Sequence, residues 1–314
     1  DMVMVIYLPF LGLKDTDVAK ALMDIKAKHP EKPIIGCFMT ENRFFTELSD
    51  MKVTVPFYMY AEEAVDAMER PEGVVPAFEV KKDAVRAMFV RVKSEGRTEL
   101  STRESMEVLD AYGVRTCRST FAKTAEEAAA AADAIGYPVV MKMTSTTVSH
   151  KTDVGGVRVG LASHDAVLEN FRDLVAKLEA KGLAEGFEGV IIQEMVVGKR
   201  ETVCGIATDP QYGPMMMFGL GGIFVEALED VAFRLAPLND QDAKELVRSV
   251  KAFKLLQGAR GTTPAQIDRV EETLLRLSQL VTDFPEVQEL DINPLMISEK
   301  NGEPIAVDGR IRIA

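Results

Sequence analysis

The first seventy residues alternate between apolar runs and helical segments, and this alternation constrains the fold more than any other feature. Residues 2–8 form a continuous apolar run typical of a strand buried on both faces, and residues 33–38 resemble it. Between them, Asp15–Lys28 has the period of an amphipathic helix. A third strand is predicted at residues 53–55, with a helix over 61–68. Such β-α-β connections predict a small parallel sheet.

A change of composition after residue 70 predicts a second unit. Pro71, Gly73 and Pro76 indicate a linker over residues 71–97, which separates a first domain at 1–70 from a second at 98–314. Ser101 and Glu104 have the spacing of a capping box, so a helix is expected to begin there. Because the chain begins inside a strand-like run, we expect it to be a piece of a longer polypeptide.

The second unit mixes strands and helices. The predicted helices cover residues 125–135, 165–181, 241–253 and 264–282. The predicted strands cover residues 139–143, 157–161, 190–194, 201–208, 214–218, 288–297 and 304–308, the last two forming a hairpin around Asn301 and Gly302.

Charge and cysteine content exclude several classes of protein. The net charge of −12 over 314 residues argues against nucleic acid or an anionic membrane surface as a partner. No apolar run approaches the ~20 residues that a membrane span needs. Three cysteines without CxxC spacing argue against a disulfide scaffold or structural zinc and favour a reducing cytoplasm.

Two basic side chains are candidates for phosphate chemistry. Lys142 lies within an apolar strand, where an ammonium needs a partner or a cleft, and it could contact nucleotide phosphates as a point charge. His150 lies in a polar loop before Gly155, and a neutral imidazole there could act as a nucleophile toward phosphorus. An exposed strand lysine and an ordinary loop histidine are the simpler alternatives.

Glycines and acidic residues supply the other parts of a candidate site. Gly219, Gly221 and Gly222 follow a predicted strand, and glycines allow backbone N–H groups to approach an anion, although a tight turn would also need them. The loop matches neither a Walker A motif nor a dinucleotide fingerprint.

Three oxygen-bearing side chains near the carboxyl end suit Mg²⁺. Asp291 and Asn293 are two residues apart and share one face of a strand, and Asp308 lies on its predicted partner strand. A polar strand end is the alternative. Glu194 could contact an adenine edge and Glu201 a ribose, although both could be ordinary surface carboxylates.

Five sequence strings together resemble the ATP-grasp portion of the NDP-forming acyl-CoA synthetases, the family of ADP-forming acetyl-CoA synthetase, and more distantly the β-chain of succinyl-CoA synthetase. The strings are Tyr-Pro-Val-Val-Met-Lys (137–142), Ser-His-Lys-Thr-Asp-Val-Gly-Gly-Val (149–157), Phe-Gly-Leu-Gly-Gly-Ile-Phe-Val-Glu (218–226), Leu-Leu-Gln-Gly-Ala-Arg-Gly (255–261) and Glu-Leu-Asp-Ile-Asn-Pro-Leu (289–295). Residues 1–70 resemble the later half of the flavodoxin-like CoA-ligase domain that precedes ATP-grasp in fused members.

The resemblance implies an α/β fold, with a partial flavodoxin-like parallel sheet followed by a two-subdomain ATP-grasp fold. The small subdomain would cover about 115–195 and the large one 98–114 and 196–314. By this resemblance Lys142 would bind phosphates, and Glu194, Met195 and Val196 would form the adenine hinge. Glu201 would contact the ribose, and Asn293 and Asp308 would bind Mg²⁺.

The resemblance also assigns the two residues closest to phosphoryl transfer. His150 matches a loop histidine that acts as a second phosphate carrier. Asp291 stands where succinyl-CoA synthetases carry a Glu that supports the phosphohistidine. Thr146 and Thr147 depart from the Pro-Asp that commonly precedes the histidine in the family.

The reaction implied is acyl-CoA + ADP + phosphate ⇌ acid + coenzyme A + ATP, with ATP or ADP and Mg²⁺ in this part and coenzyme A as co-substrate of the full-length protein. The CoA-binding domain and its own histidine have no counterpart here. A CoA-binding, phosphohistidine-bearing domain of the same polypeptide or of another subunit is therefore the expected partner, and a homo-oligomer is possible. The alternatives are a nucleotide-sensing module of a protein lysine acetyltransferase and an ATP-grasp ligase of another kind, such as a carboxylate–amine ligase.

Overall fold

The computed structural model describes most of the chain. The residues it describes are 3–9, 14–30, 32–40, 44, 47–48, 53–61, 73–145, 155–198, 200–209, 213–221, 230–258 and 262–314. The helices are α1 Asp15–Lys28, α2 Lys82–Ser94, α3 Thr102–Ala111, α4 Ala125–Ile135, α5 His164–Ala180, α6 Asp240–Ser249, α7 Phe253–Leu256 and α8 Ile267–Asp283. The strands are β1 Val3–Tyr7, β2 Ile34–Phe38, β3 Phe57–Tyr58, β4 Ser119–Ala122, β5 Val139–Ser145, β6 Val157–Leu161, β7 Phe187–Glu194, β8 Arg200–Asp209, β9 Gly213–Leu220, β10 Val231–Leu235, β11 Val287–Ile297, β12 Pro304–Ala306 and β13 Arg310–Ile313.

A three-stranded parallel sheet forms the amino-terminal part, in the order β1-β2-β3. Its core includes Leu22 of α1 and Phe38 of β2. The third strand lies at Phe57–Tyr58, so the prediction of a strand at 53–55 is wrong in position. Pro56 explains the displacement, because it has no N–H to donate and its carbonyl instead accepts from Gly36 where pairing begins. The predicted helix over 61–68 lies almost wholly outside the described residues.

The predicted linker contains an ordered helix. In α2, Val85, Phe89 and Val92 are buried in the same hydrophobic core as α3 and the large sheet. The preceding residues are attached to that core too, since the side-chain amide of Gln279 bonds to both backbone groups of Phe78. This part of the segment therefore packs as the beginning of the second unit, while the proposed domain boundaries stay a prediction.

A four-stranded antiparallel sheet, the small sheet, has the order β4-β7-β5-β6. Helices α4 and α5 cover one face, where Met141 and Met143 are fully buried against Ala-rich α4. A capping box between Thr124 and Glu127 starts α4. Lys142 alternates with the two methionines along β5 and therefore lies on the opposite face of the sheet.

A six-stranded antiparallel sheet, the large sheet, has the order β10-β9-β8-β11-β12, and β13 also pairs with β11. Its covered face packs on α3, α6 and α8 through one large hydrophobic core. The predicted hairpin between β11 and β12 is confirmed. The predicted helix at 241–253 is divided, because α6 ends at Ser249, Val250 is extended and α7 begins only at Phe253. The carboxylate of Asp230 accepts from the N–H groups of Lys251 and Ala252 between the two helices.

These elements confirm the expected α/β class, with a small parallel sheet followed by two antiparallel sheets. The capping box of Ser101 and Glu104 at the start of α3 is confirmed as well. Within the described residues, every helix is too short or too polar to span a bilayer.

Candidate functional site

The predicted metal ligands Asn293 and Asp308 lie opposite each other at an interruption of the large sheet. Strand β11 pairs with β13 as far as Asp291 and with β12 from Leu295 onward, so β12 and β13 lie end to end along it. The residues between these pairings face each other, and Val307 N–H donates to the Pro294 carbonyl at 3.2 Å. The loop between β12 and β13 thereby brings Asp308 beside Asn293.

Lys142 reaches this interruption from the small sheet. Its Nζ donates to the Val307 carbonyl at 2.8 Å and to Asp308 Oδ2 at 3.1 Å. The side chain is only 14% exposed, whereas that of Asp308 is 41% exposed. The lysine is therefore neither an ordinary exposed strand residue nor an unpaired buried charge, because the large sheet supplies its partners.

Asp291 lies on β11 two residues before Asn293, and both side chains are on the same face of that strand. Glu289, Asp291 and Asn293 are exposed and alternate with the buried Leu290 and Ile292, as expected for one strand face. Although Asp291 is exposed as a residue, partial desolvation of its carboxylate by the surrounding groups, and then repulsion by Asp308, raise its pKa.

The carboxylate of Asp291 also lines a cleft of about 250 Å³ on the open face of the large sheet. Methionine and phenylalanine side chains supply its apolar half, and two acidic and two arginine side chains supply its charged half. The members of these groups are Met215, Met217, Phe233, Glu289, Arg312, Asp291 and Arg310.

The predicted adenine hinge follows β7 and contacts both sheets. Glu194 N–H donates to the Arg118 carbonyl at 2.8 Å, and its carboxylate accepts from Arg118 Nε at 3.0 Å. That pairing lowers the pKa of Glu194, so the side chain is an anion already bound to a cation. Met195 N–H donates to the Pro138 carbonyl at 3.3 Å, and Val196 packs against the hydrophobic core of the large sheet.

The far end of the hinge passes close to the large sheet. Val197 O accepts from Glu299 N–H at 2.9 Å. A Cβ on Gly198 would lie 2.4 Å from the Ile297 carbonyl oxygen, so this position requires glycine. The hinge is thus fixed at one end to the small sheet and at the other to β11.

The glycine loop and Glu201 meet through their backbones. Gly221 N–H donates to the Glu201 carbonyl at 2.7 Å, which leaves the Glu201 side chain exposed at the start of β8. A Cβ on Gly219 would lie 2.8 Å from Val231 Cγ1 and 2.9 Å from the Asp230 carbonyl. Gly222 and His150 lie outside the described residues, so their predicted roles stay predictions.

Three residues at this site were missed from the sequence. Gln193 is 5% exposed, and its amide donates to the Val307 carbonyl at 3.1 Å. Arg118 pairs with Glu194, and Cys117 is buried within reach of the charges of Lys142, Glu194 and Asp308, while burial raises its pKa to about 12. A glutamine inside the apolar run of β7 was the available signal, since a buried amide needs a partner.

The donor set at the interruption suits a hard cation. It consists of the carboxylates of Asp291 and Asp308 and the side-chain amide oxygen of Asn293, and oxygen is the ligand atom that Mg²⁺ takes. The described residues contain no group of three or more His, Cys, Asp and Glu side chains arranged for a metal. A metal at this site would therefore depend on Asn293 and on oxygens from a bound nucleotide.

Comparisons with known proteins identify the family of this chain. The family model of the ATP-grasp domain matches residues 91–313. A 4-hydroxybutyrate–CoA ligase (ADP-forming) of Nitrosopumilus maritimus is 42% identical over 267 residues, which cover 82% of this chain and 38% of that protein. The β subunit of acetate–CoA ligase (ADP-forming) I of Pyrococcus furiosus is 39% identical over 226 residues, covering 72% of this chain and 96% of that subunit.

A solved structure gives the same result. The dinucleotide-forming acetyl-coenzyme A synthetase 1 of Ca. Korarchaeum cryptofilum, in complex with coenzyme A and Ca-AMPCP, superposes with a TM-score of 0.69 at 37% identity. The match covers 73% of this chain and 99% of that one. The chain thus spans less than half of the Nitrosopumilus ligase but nearly all of the Pyrococcus β subunit. It belongs to the ATP-grasp domain family and, within that family, to the ADP-forming acyl-CoA synthetases.

Proposed function

We propose that this chain is the nucleotide-binding, phosphoryl-transfer part of an ADP-forming acyl-CoA ligase, which moves phosphate between ADP or ATP and a phosphohistidine. The observation that carries the proposal is the contact of Lys142, from the small sheet, with Asp308, from the loop between β12 and β13 of the large sheet. It brings a cation for phosphates beside a carboxylate for a metal, in a chain that matches nearly the full length of a ligase β subunit.

The chain's own residues divide the work of holding the nucleotide. Lys142 contacts its phosphates, and Glu194, Met195 and Val196 bind the adenine at the hinge. Glu201 holds the ribose, while Gly219, Gly221 and Gly222 let backbone N–H groups approach the phosphates. The burial of Lys142 supports its role, because an ammonium in a partly dry site attracts an anion more strongly than one in water.

Asn293 and Asp308 are the proposed Mg²⁺ ligands. The repulsion between Asp291 and Asp308 that raises the pKa of Asp291 fits a site for a cation, since a divalent charge would relieve it. When bound, Mg²⁺ would neutralise charge on the nucleotide phosphates.

His150 is the proposed phosphate carrier of this part, and Asp291 its supporting carboxylate. In the direction of ATP synthesis, the P–N bond to the imidazole breaks and a terminal oxygen of ADP forms the new P–O bond. The neutral imidazole that is released can then accept the next phosphoryl group.

The relatives are named for different acid substrates, and this supports a role for the shared region in nucleotide chemistry rather than in recognition of the acid. One relative is named for 4-hydroxybutyrate and another for acetate, yet both match this chain at about 40% identity. What such enzymes share is the ADP-forming half of the reaction. We therefore place the acid and coenzyme A on a CoA-binding domain of the same polypeptide or of a partner subunit.

The relatives favour a ligase over the nucleotide-sensing module of an acetyltransferase, because both are CoA ligases. The burial of all three cysteine thiols fits a reducing cytoplasm, which we propose as the location. Nucleic acid and membrane are not proposed partners, and a homo-oligomer remains compatible with this assignment.

Thermal unfolding with excess MgADP or MgATP tests nucleotide binding. Ligand at 100 times Kd should stabilise the native state by about 2.7 kcal/mol. That corresponds to several degrees, at roughly 2–4 °C per kcal/mol. Lys142→Ala should abolish the shift, whereas Lys181→Ala, at an exposed helix end, should keep it. An unshifted wild-type protein would contradict the proposal.

Phosphate on His150 needs its own test. Incubation with MgATP labelled in the γ-phosphate should give an acid-labile, base-stable label that His150→Asn removes. His164→Asn is the matched control, because His164 is an exposed histidine paired with Asp133 on the small subdomain. A label that survives His150→Asn would assign the carrier elsewhere.

A further inference from the structure

Gln193 is a polar side chain in a buried position of the site. It precedes the hinge on β7 and is 5% exposed. Gln193 pairs with Val140 across the ladder, and Val140 is two residues from Lys142, so the glutamine and the lysine share one face of the small sheet. That face is opposite to the one buried by α4 and α5.

Two donors from the small sheet meet at one carbonyl of the large subdomain. Val307 O accepts from Lys142 Nζ at 2.8 Å and from Gln193 Nε2 at 3.1 Å. The N–H of the same residue donates to the Pro294 carbonyl. Val307 is therefore held on both sides, and it immediately precedes Asp308 in the loop that joins β12 and β13.

The two donors differ in what nucleotide binding does to them. Lys142 has a flexible stem, and under the proposed function its ammonium turns toward phosphates, which compete for its contacts with Val307 and Asp308. Gln193 has no charge for phosphates to attract, and its short amide side chain is buried. Its hydrogen bond can therefore persist when the lysine is shared with the nucleotide.

We propose that Gln193 is a positioning residue, which holds the Val307 carbonyl and thereby fixes Asp308 relative to Lys142 when the metal–nucleotide complex binds. The inference rests on the proposed function and assigns to that site a residue outside the motifs of the sequence. Gln193 acts through the Val307 peptide rather than by contact with the nucleotide. Removal of the Gln193 hydrogen bond should therefore lower the affinity for MgADP more than the affinity for metal-free ADP, which depends on Lys142 and not on the metal.

The test compares two glutamines that make the same kind of bond. Gln193→Met keeps the length of the side chain and removes the donor. Gln279→Met is the matched control, because Gln279 Nε2 also donates to a backbone carbonyl, that of Phe78, at 3.1 Å. Each protein is titrated calorimetrically with ADP, once in EDTA and once in excess Mg²⁺. The two titrations give the ratio of its affinity for MgADP to its affinity for metal-free ADP.

Gln193→Met should weaken MgADP binding about tenfold, as for the loss of an outer-shell partner of a metal site. It should weaken metal-free ADP binding about twofold at most, so the ratio of affinities should fall. Gln279→Met should leave the ratio at its wild-type value even where it lowers Tm. A ratio in Gln193→Met equal to that of the wild type would overturn the positioning role while leaving the proposed function intact.

Two further measurements complete the test. Because Gln193 acts through the site that Lys142 also holds, the effects of Gln193→Met and Lys142→Ala on MgADP affinity should not add. Additive effects would count against the proposal. If Gln193→Met does not fold, Gln193→Leu gives the same comparison, since leucine is uncharged and also has no donor for the Val307 carbonyl. A wild-type protein that binds neither form of ADP would overturn the proposed function and this inference together.

Discussion

Lys142 Nζ, from β5 of the small sheet, lies 3.1 Å from a carboxylate oxygen of Asp308, in the loop between β12 and β13 of the large sheet. The other oxygen of that carboxylate accepts from the N–H of Gly309, so Lys142 holds the carboxylate on one side and its own loop holds it on the other. The pair joins the residue proposed to contact phosphates to a residue proposed to bind the metal. Each charge also neutralises the other before a ligand arrives.

Asp308→Asn should reverse the preference of the site for metal-bound nucleotide. The substitution removes a negative charge that faces the phosphates and releases Lys142 to bind them, so metal-free ADP should bind as well as in the wild type or better. Affinity for MgADP should fall about tenfold or more, which is about 1.4 kcal/mol. Titration calorimetry with and without Mg²⁺ measures both quantities.

Asp110→Asn provides the control for this charge change, because Asp110 is exposed on α3. It should leave both affinities unchanged. If Asp308→Asn weakened binding of the two forms of ADP equally, Asp308 would have a structural role instead of a role in holding the metal.

Gly219→Ala should destabilise the large sheet by about 1–3 kcal/mol, the usual cost of overpacking. The added Cβ would meet the Asp230 carbonyl at 2.9 Å, and backbone cannot move aside cheaply. In Gly205→Ala the nearest atom is Met217 Cε at 3.0 Å, the flexible end of a side chain. That variant should lose less stability in urea unfolding, and equal losses would contradict the steric argument.

The residue types in the sequence were enough to select candidate residues for the site, and the roles assigned to them stay predictions. Lys142, Asn293 and Asp308 were selected from the residue types that phosphates and Mg²⁺ require, and the fold brings Lys142 to Asp308, in register with Asn293. A glutamine within an apolar strand was a local signal for Gln193, but its partner is a carbonyl 114 residues away, which the sequence pattern does not identify. Arg118 was missed for the same reason, since its partner Glu194 lies on a different strand.

The missed strands β10 and β13 are short, and they were missed for different reasons. β10 pairs only with β9 among the described strands, and its exposed Phe233 hides the usual alternation. β13 is different, because Arg310–Ile313 alternates with period two and its isoleucines are buried. That signal was available locally. The position of β3 was set by Pro56, a residue whose missing N–H displaces the start of pairing.

Stability should depend on pH through Glu104, which caps α3. Arg97 donates to both of its carboxylate oxygens, at 2.9 and 3.0 Å, and Ser101 N–H donates at 2.8 Å. The bond from Arg97, followed by those from Ser101, lowers the pKa of Glu104 to about 2. A depressed pKa in the folded state stabilises the protein above the unfolded value of about 4.3, and this contribution is lost as pH falls toward 2.

Glu104→Gln should therefore cost about 1.5–3 kcal/mol at pH 7, where charged hydrogen bonds are lost. The difference from wild type should shrink between pH 5 and pH 2, as the wild-type carboxylate becomes protonated. Urea unfolding across this range measures it. Glu107→Gln, at an exposed pair with Arg103, should show no such pH dependence. A constant difference from pH 7 to pH 2 would contradict the assigned ionisation.

The thiol of Cys117 should be unreactive in the folded protein although it lies beside the nucleotide site. It is 4% exposed, and burial raises its pKa to about 12, so at pH 8 roughly one molecule in ten thousand carries the reactive thiolate. The nearby ammonium of Lys142 opposes this rise without overcoming it.

A variant with Cys37→Ala and Cys204→Ala leaves Cys117 as the single thiol. That variant should react with Ellman's reagent only as fast as it unfolds, and one equivalent should react at once in guanidinium. Rapid reaction under native conditions would mean that the site opens far enough to expose the segment before β4.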